Sequence, residues 1–166
     1  VRGDIEAITG FSFTSLLNLE ARGVKTEDIV VLPYSQYGVK LYGNVIIAGE
    51  DFLKKNPEAV KAFLRAFTKG VKDVIADPKA AVATVKERDG IVNADLELRR
   101  LKLALDQTVL TPDAKAEGFG DVNAARLALM ASQVSDAFAT KERVVATSVW
   151  NAGFLPSVTD RSIFKK

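Results

Sequence analysis

In the stretch 56–77, NPEAVKAFLRAFTKGVKDVIAD, the residues Val60, Phe63, Leu64, Phe67, Val71, Val74 and Ile75 return at spacings of three and four. That rhythm marks one apolar face of an α-helix. Asn56 has the side chain of an N-cap, and Pro57 suits the first helical position, where no amide hydrogen is missed. Lys69 and Lys72 fall toward the negative end of the helix dipole. Pro78 ends the run and opens a second helix, 78–88, which Asp77 can cap. The stripe predicts that Phe63, Phe67 and Val71 are buried against the helices that follow.

The pattern changes on either side. Residues 5–9 (IEAIT), 29–32 (IVVL) and 44–48 (NVIIA) are short apolar runs bounded by turn formers, which predicts buried strands. Between the first two lie a loop, 10–14 (GFSFT), and a helix, 15–22, closed by Gly23. Residues 33–43 (PYSQYGVKLYG) form a connector with three tyrosines and two glycines, and 50–55 a short helix. Beyond residue 88 the periodicity predicts helices over about 95–107, 111–118 and 124–138. A tail with a turn at Trp150 then anchors through Phe154-Leu155-Pro156. Three short strands do not make a self-sufficient parallel sheet. The chain therefore reads as part of a larger α/β protein, with few strands, mostly helical, whose other strands precede Val1.

Composition narrows the chemistry. Of 166 residues 48% are hydrophobic and 27% charged, with a net charge of +2 and no basic block. Nothing here supports nucleic-acid binding. Cysteine and histidine are both absent, so thiol nucleophiles, disulfides, Cys/His zinc sites and histidine-based acid–base pairs are excluded. No metal site, cofactor or catalytic array is expected. The best candidate for binding is strand–GFSFTS–helix. Ligands of open α/β sheets sit beyond the carboxyl ends of strands, against helix N-termini. Ser12, Thr14 and Ser15 offer hydroxyls, Gly10 allows close backbone approach, and Phe11 and Phe13 offer ring faces. No charged residue lies between Ala7 and Leu19, so the group held would be neutral or anionic. The competing reading is a capped helix start with two core phenylalanines. Likewise Tyr34, Tyr37 and Tyr42 either line a cleft beside a hinge or are half-buried packing residues. Gly118-Phe119-Gly120-Asp121 follows a helix and lacks the third glycine of a dinucleotide loop.

Three stretches taken in order, GDIEAITGFSFTSLLNL, YGVKLYGNVIIAGEDFLKKNPEAVKAFLRAFTKGVKDVIADPKAAV and FLPSVTDR, give the chain a resemblance to the solute-binding proteins of ABC importers. The subfamily is the nitrate/sulfonate/taurine class, which includes thiamine-pyrimidine-synthase-like proteins. The resemblance implies a type II periplasmic-binding-protein fold, of which this chain is the C-terminal portion, with the N-terminal half absent. On that map residues 1–33 end the second lobe, 34–43 are the hinge crossing, and 44–166 complete the first lobe. Thr9, Gly10, Phe11, Ser12, Phe13 and Thr14 form a cleft wall, with Tyr37, Gly38 and Tyr42 at the hinge boundary. The implied partners are a small-molecule solute, an ABC permease, and either the N-terminal half or a second copy. The implied location is periplasmic, or lipid-anchored outside the cytoplasmic membrane, with the signal segment outside this chain. Two other functions compete. One is the thiamine-pyrimidine synthase of the same fold, which consumes its own histidine and uses a cysteine-rich motif. The other is a helical interaction module, which leaves strand–GFSFTS–helix unexplained.

Overall fold

A computed structural model describes residues 2–164. The α-helices are α1 (Ser12–Glu20), α2 (Glu50–Lys55), α3 (Pro57–Ala76), α4 (Pro78–Arg88), α5 (Ala94–Ala104), α6 (Pro112–Glu117) and α7 (Ala124–Ala137). A π-helical turn, Leu105–Val109, follows α5 without a break. Short 3-10 turns occur at Tyr34–Tyr37 in the connector and at Ala152–Phe154 in the tail.

Helix boundaries follow local chemistry. Asp77 Oδ1 accepts the Ala80 amide at 3.0 Å, Asn93 Oδ1 that of Leu96 at 3.1 Å, and Asn123 Oδ1 that of Arg126 at 3.0 Å. Each satisfies one of the four free donors of a first turn. Asn56 is a correction: its backbone occupies the N-cap position, but its side chain makes no capping bond. There Pro57 carries the start of α3. The first helix begins at Ser12 and not at residue 15, so half of the predicted loop is its first turn.

The second correction concerns the strands. Among the described residues there is no strand. Residues 5–9, 30–32 and 44–48 make no backbone hydrogen bond, and Ile5, Val30, Leu32, Val45 and Ile47 are exposed, Ile47 to 86%. A strand exists only through its neighbour's amides and carbonyls, and none is within this chain's reach. The accessible surface of 12282 Å² confirms how open the chain is, since a compact monomer of this mass exposes roughly 8,000 Å².

The third correction concerns α3. Phe63 is 55% and Phe67 43% exposed, and Val71 is only half-buried. The two rings lie 6.1 Å apart, and Phe67 stacks on Phe119 at 6.3 Å. The face is apolar, as its periodicity requires, but only part of it meets a partner. α3 packs on α2, α4 and the tail turn, and α5 packs between α4 and α1. The buried apolar residues are Leu17 of α1 (1% exposed), Val82 of α4, Leu105 of the π turn, Leu127 and Ala131 of α7, and Ile163 of the tail.

The tail is fixed by one side chain. Arg161 is 5% exposed. Its guanidinium donates to Asp121 Oδ2 at 2.8 Å, the Glu117 carbonyl at 2.8 Å and the Pro156 carbonyl at 3.0 Å. The Phe119 amide donates back to the Arg161 carbonyl at 3.0 Å. Gly118 has φ +83°, and a Cβ there would lie 2.8 Å from Arg161 Nη1. Trp150 Nε1 donates to the other oxygen of Asp121 at 3.2 Å. Removing one partner of a buried charge pair is strongly destabilising. Arg161→Ala should cost about 3 kcal/mol in denaturant unfolding, with a red-shifted emission from Trp150, the single tryptophan. Unchanged emission would mean that the tail is held by other contacts.

Candidate functional site

The uncharged loop and the start of α1 present a specific arrangement. Phe11 occupies the N-cap position with no side-chain cap, and the amides of Thr14 and Ser15 both donate to its carbonyl. The amides of Ser12 and Phe13 lie ahead of the first intrahelical acceptor and carry no partner among the described residues. They are the free donors of a helix N-terminus. A Cβ at Gly10 would lie 2.7 Å from Ser15 Oγ, so a side chain there would make that hydroxyl turn away. Phe11 and Phe13 stack with centroids 5.1 Å apart. Phe11 is exposed, while Ser12, Phe13 and Thr14 are half-buried and Thr9 and Gly10 exposed. The connector reaches this loop at Gly43, where a Cβ would sit 3.9 Å from the Phe11 ring.

Ser12 has a partner that the sequence did not signal. Its hydroxyl donates to Gln107 Oε1 at 2.6 Å, and Gln107 lies in the π turn. The same flank of α1 is tied to α5 twice more. Arg99 Nη2 donates to Glu20 Oε2 at 2.6 Å, and Arg100 Nη2 to Asn18 Oδ1 at 2.9 Å. The Thr26 hydroxyl and then Arg99 hold the Glu20 carboxyl below its ordinary range.

The connector residues divide. Tyr37 is exposed, and Gly38, at φ +84°, gives its carbonyl to Gln133 Nε2 at 2.9 Å. Tyr42 is half-buried, and its hydroxyl is fully engaged. It donates to Asp113 Oδ2 at 3.1 Å and accepts the Asn123 amide at 2.8 Å. Arg126 donates to the same carboxylate at 2.8 Å and to the carbonyls of Lys40 and Leu41, both at 2.9 Å. Its guanidinium carbon lies 4.1 Å from the centre of the Tyr42 ring, a cation–π distance. A cavity of about 510 Å³ adjoins this cluster, lined by Ser35, Lys40, Asp113, Asn123 and Arg126 among others. None of the residues 9–14 lines it. The structure therefore groups the predicted residues in two places: Thr9 to Thr14 with Gly43 at the start of α1, and Tyr37, Gly38 and Tyr42 against α6 and α7.

Sequence reasoning did not find Gln107, Asp113, Asn123 or Arg126. Arg126 interrupts an apolar helix, which is a faint signal, and the others carry none. No cluster of three or more His, Cys, Asp or Glu residues that could hold a metal occurs among the described residues. Among the described residues no helix is long and apolar enough to cross a membrane.

The family model described as NMT1/THI5 like matches residues 1–81 of the chain. No curated protein and no solved structure matches significantly. The matched part contains the α1 loop, the connector, and α2 and α3.

The hydrogen bond from Arg126, helped by that from Tyr42 and opposed by burial, holds the Asp113 carboxyl below its ordinary range. Burial is the largest cause raising the Tyr42 hydroxyl. A carboxyl depressed on folding stabilises above its unfolded value near ~3.9, and that contribution disappears as pH falls through the folded value. A raised phenol stabilises below about 10, and that contribution disappears as pH climbs through the folded value. Tyr42→Phe should therefore remove an alkaline step, seen by tyrosinate absorbance, that lies above the ordinary tyrosine range. Asp113→Asn should flatten the acid limb of the stability profile. A Tyr42→Phe protein with an unchanged absorbance titration would contradict this assignment.

Proposed function

From the match of residues 1–81 to the family model described as NMT1/THI5 like, we propose that the chain is part of an extracytoplasmic solute-binding protein of an ABC importer. The family holds both solute-binding proteins and thiamine-pyrimidine synthases. Absence of histidine and cysteine from all 166 residues favours the binding protein, because the synthase consumes the one and uses a motif of the other. The observation that carries the reading is the start of α1. Two free amides, the hydroxyls of Ser12 and Thr14 and a stacked pair of phenylalanines meet there with no charged residue between Ala7 and Leu19. Such a site takes the neutral or anionic polar end of a small organic solute on amides and hydroxyls, and its flat or apolar part on a ring face.

In this reading the exposed runs 5–9, 29–32 and 44–48 are strands of the two lobes. Their partners come from the N-terminal half of the protein or from a second copy. The large exposed surface and the unbonded backbone of residues 5–9, 30–32 and 44–48 support such a completion. The clasp of Tyr42, Asp113 and Arg126 then fixes the return crossing to the first lobe. Tyr42 acts as an anchor in it, with no free hydrogen for a solute.

Calorimetric titration of the assembled protein with taurine, small carboxylates and aminopyrimidines tests the proposal. One of these classes should bind, and Ser12→Ala with Thr14→Val should weaken it about tenfold or more, at about 0.5–1.5 kcal/mol for each lost hydrogen bond. The melting temperature should change little. An unchanged affinity with a lowered melting temperature would mean that the hydroxyls serve only to hold α1 against the π turn.

A further inference from the structure

We propose that Gln107 of the π turn sets the polarity of the Ser12 hydroxyl, and so decides which kind of solute end the start of α1 accepts. The proposal rests on the solute-binding reading of that site and adds to it a specificity residue from far along the chain.

The π turn is fastened where it stands. The Leu110 amide donates to the Leu105 carbonyl five residues back at 2.7 Å, and Leu105 is buried. The Thr108 hydroxyl donates to the Ala104 carbonyl at 2.6 Å. Single π turns inside α-helices are rare and recur at functional sites. The helix that leads into this one, α5, lies along α1, whose Leu17 is 1% exposed. Glu20 meets Arg99, Asn18 meets Arg100 and Ser12 meets Gln107. The numbers rise along α1 as they fall along α5, so the two helices run antiparallel. Two of these bonds fix the far end of the pair, and the third delivers Gln107 to the start of α1.

A serine hydroxyl has one hydrogen and two lone pairs. That of Ser12 gives its hydrogen to Gln107 Oε1 at 2.6 Å. Only its lone pairs then face a solute, and they suit an end that donates, such as a carboxamide. An anionic end needs the hydrogen instead. A carboxylate at position 107 would keep that hydrogen, because it can only accept. A carboxamide has both functions. The last torsion of glutamine is soft and roughly two-fold, and a half-turn puts Nε2 where Oε1 stood. Nε2 then donates to Ser12 Oγ, and the Ser12 hydrogen is released to the solute. The Ser12–Gln107 bond survives in both states. Gln107 is exposed, so its oxygen turns into water and is not stranded. In the turned state each hydrogen bond of the chain from Gln107 through Ser12 to the anion strengthens the next. Gln107 thus makes Ser12 an acceptor for neutral ends and a donor for anionic ones, beside the two free amides of Ser12 and Phe13.

The test is calorimetric titration of the assembled protein with benzoate and benzamide, which share a shape and a flat ring and differ in the polarity of one atom. The unaltered protein should bind both, with affinities within about tenfold of each other. Gln107→Glu should weaken benzoate more than about tenfold and leave benzamide within about twofold. Gln107→Met, which keeps the length and removes both polar atoms, should weaken benzoate about threefold to tenfold. In a Ser12→Ala background the same change should do nothing further, since Gln107 acts through Ser12. Circular dichroism of each variant should retain the helical signal. Equal losses of both probes in Gln107→Glu, or additive losses in the double variant, would overturn the proposal. So would unchanged affinities with a lowered melting temperature in Gln107→Met, which would make the contact a brace alone. An unaltered protein that binds neither probe would tell against the solute-binding reading, and the proposal would fall with it.

Discussion

A helix closes its own backbone hydrogen bonds, whereas a strand borrows them. That asymmetry governs this chain. From residue 50 onward each helical run satisfies its amides locally, with Asp77, Asn93, Thr111 and Asn123 supplying the side-chain caps. The three apolar runs at 5–9, 29–32 and 44–48 have β-branched residues and turn-forming borders but no neighbour. They remain irregular and exposed. The openness of the molecule follows from this one difference, as does the half-covered face of α3, whose rings find only each other and Phe119.

Where apolar burial is thin, polar clasps position the segments. Arg126 collects two connector carbonyls, a carboxylate and an aromatic face. Arg161 does the same for the tail, where its planar fork of donors matches several acceptors around one loop. A lysine could not replace either, having neither the fork nor the flat face. The connector and the tail are thus located by guanidinium groups more than by a core.

How much of this is legible from sequence depends on the range of the interaction. α3, α4 and α7 are readable because their apolar periodicity and their borders lie within a few residues. The uncharged start of α1 is readable for the same reason, although its pattern predicts a start at residue 15, three residues after the observed Ser12, because Ser12 and Phe13 resemble loop residues. The strands were recognised as apolar runs, but whether they pair is decided outside the runs themselves. Burial of Phe63 and Phe67 fails likewise: periodicity says which residues share a face, not what covers it. Gln107 beside Ser12, and Asn123 beneath Tyr42, carry no local signal, since an amide side chain is compatible with any exposed turn.

The clasps also set a timetable. Ser12 meets Gln107 across 95 positions, Tyr42 meets Asn123 across 81, and Arg161 meets Asp121 across 40. A chain leaving the ribosome can wind α3 and α4 as soon as they emerge, but it cannot fasten α1 until Gln107 has followed, or the connector until Asn123 has. Ordering of the tail waits for Arg161. Contacts this distant along the chain are slow to form because loop closure precedes their reward. Through that interval the start of α1 and the connector lack their clasps, so holding factors that bind extended hydrophobic chain have their longest opportunity at these segments.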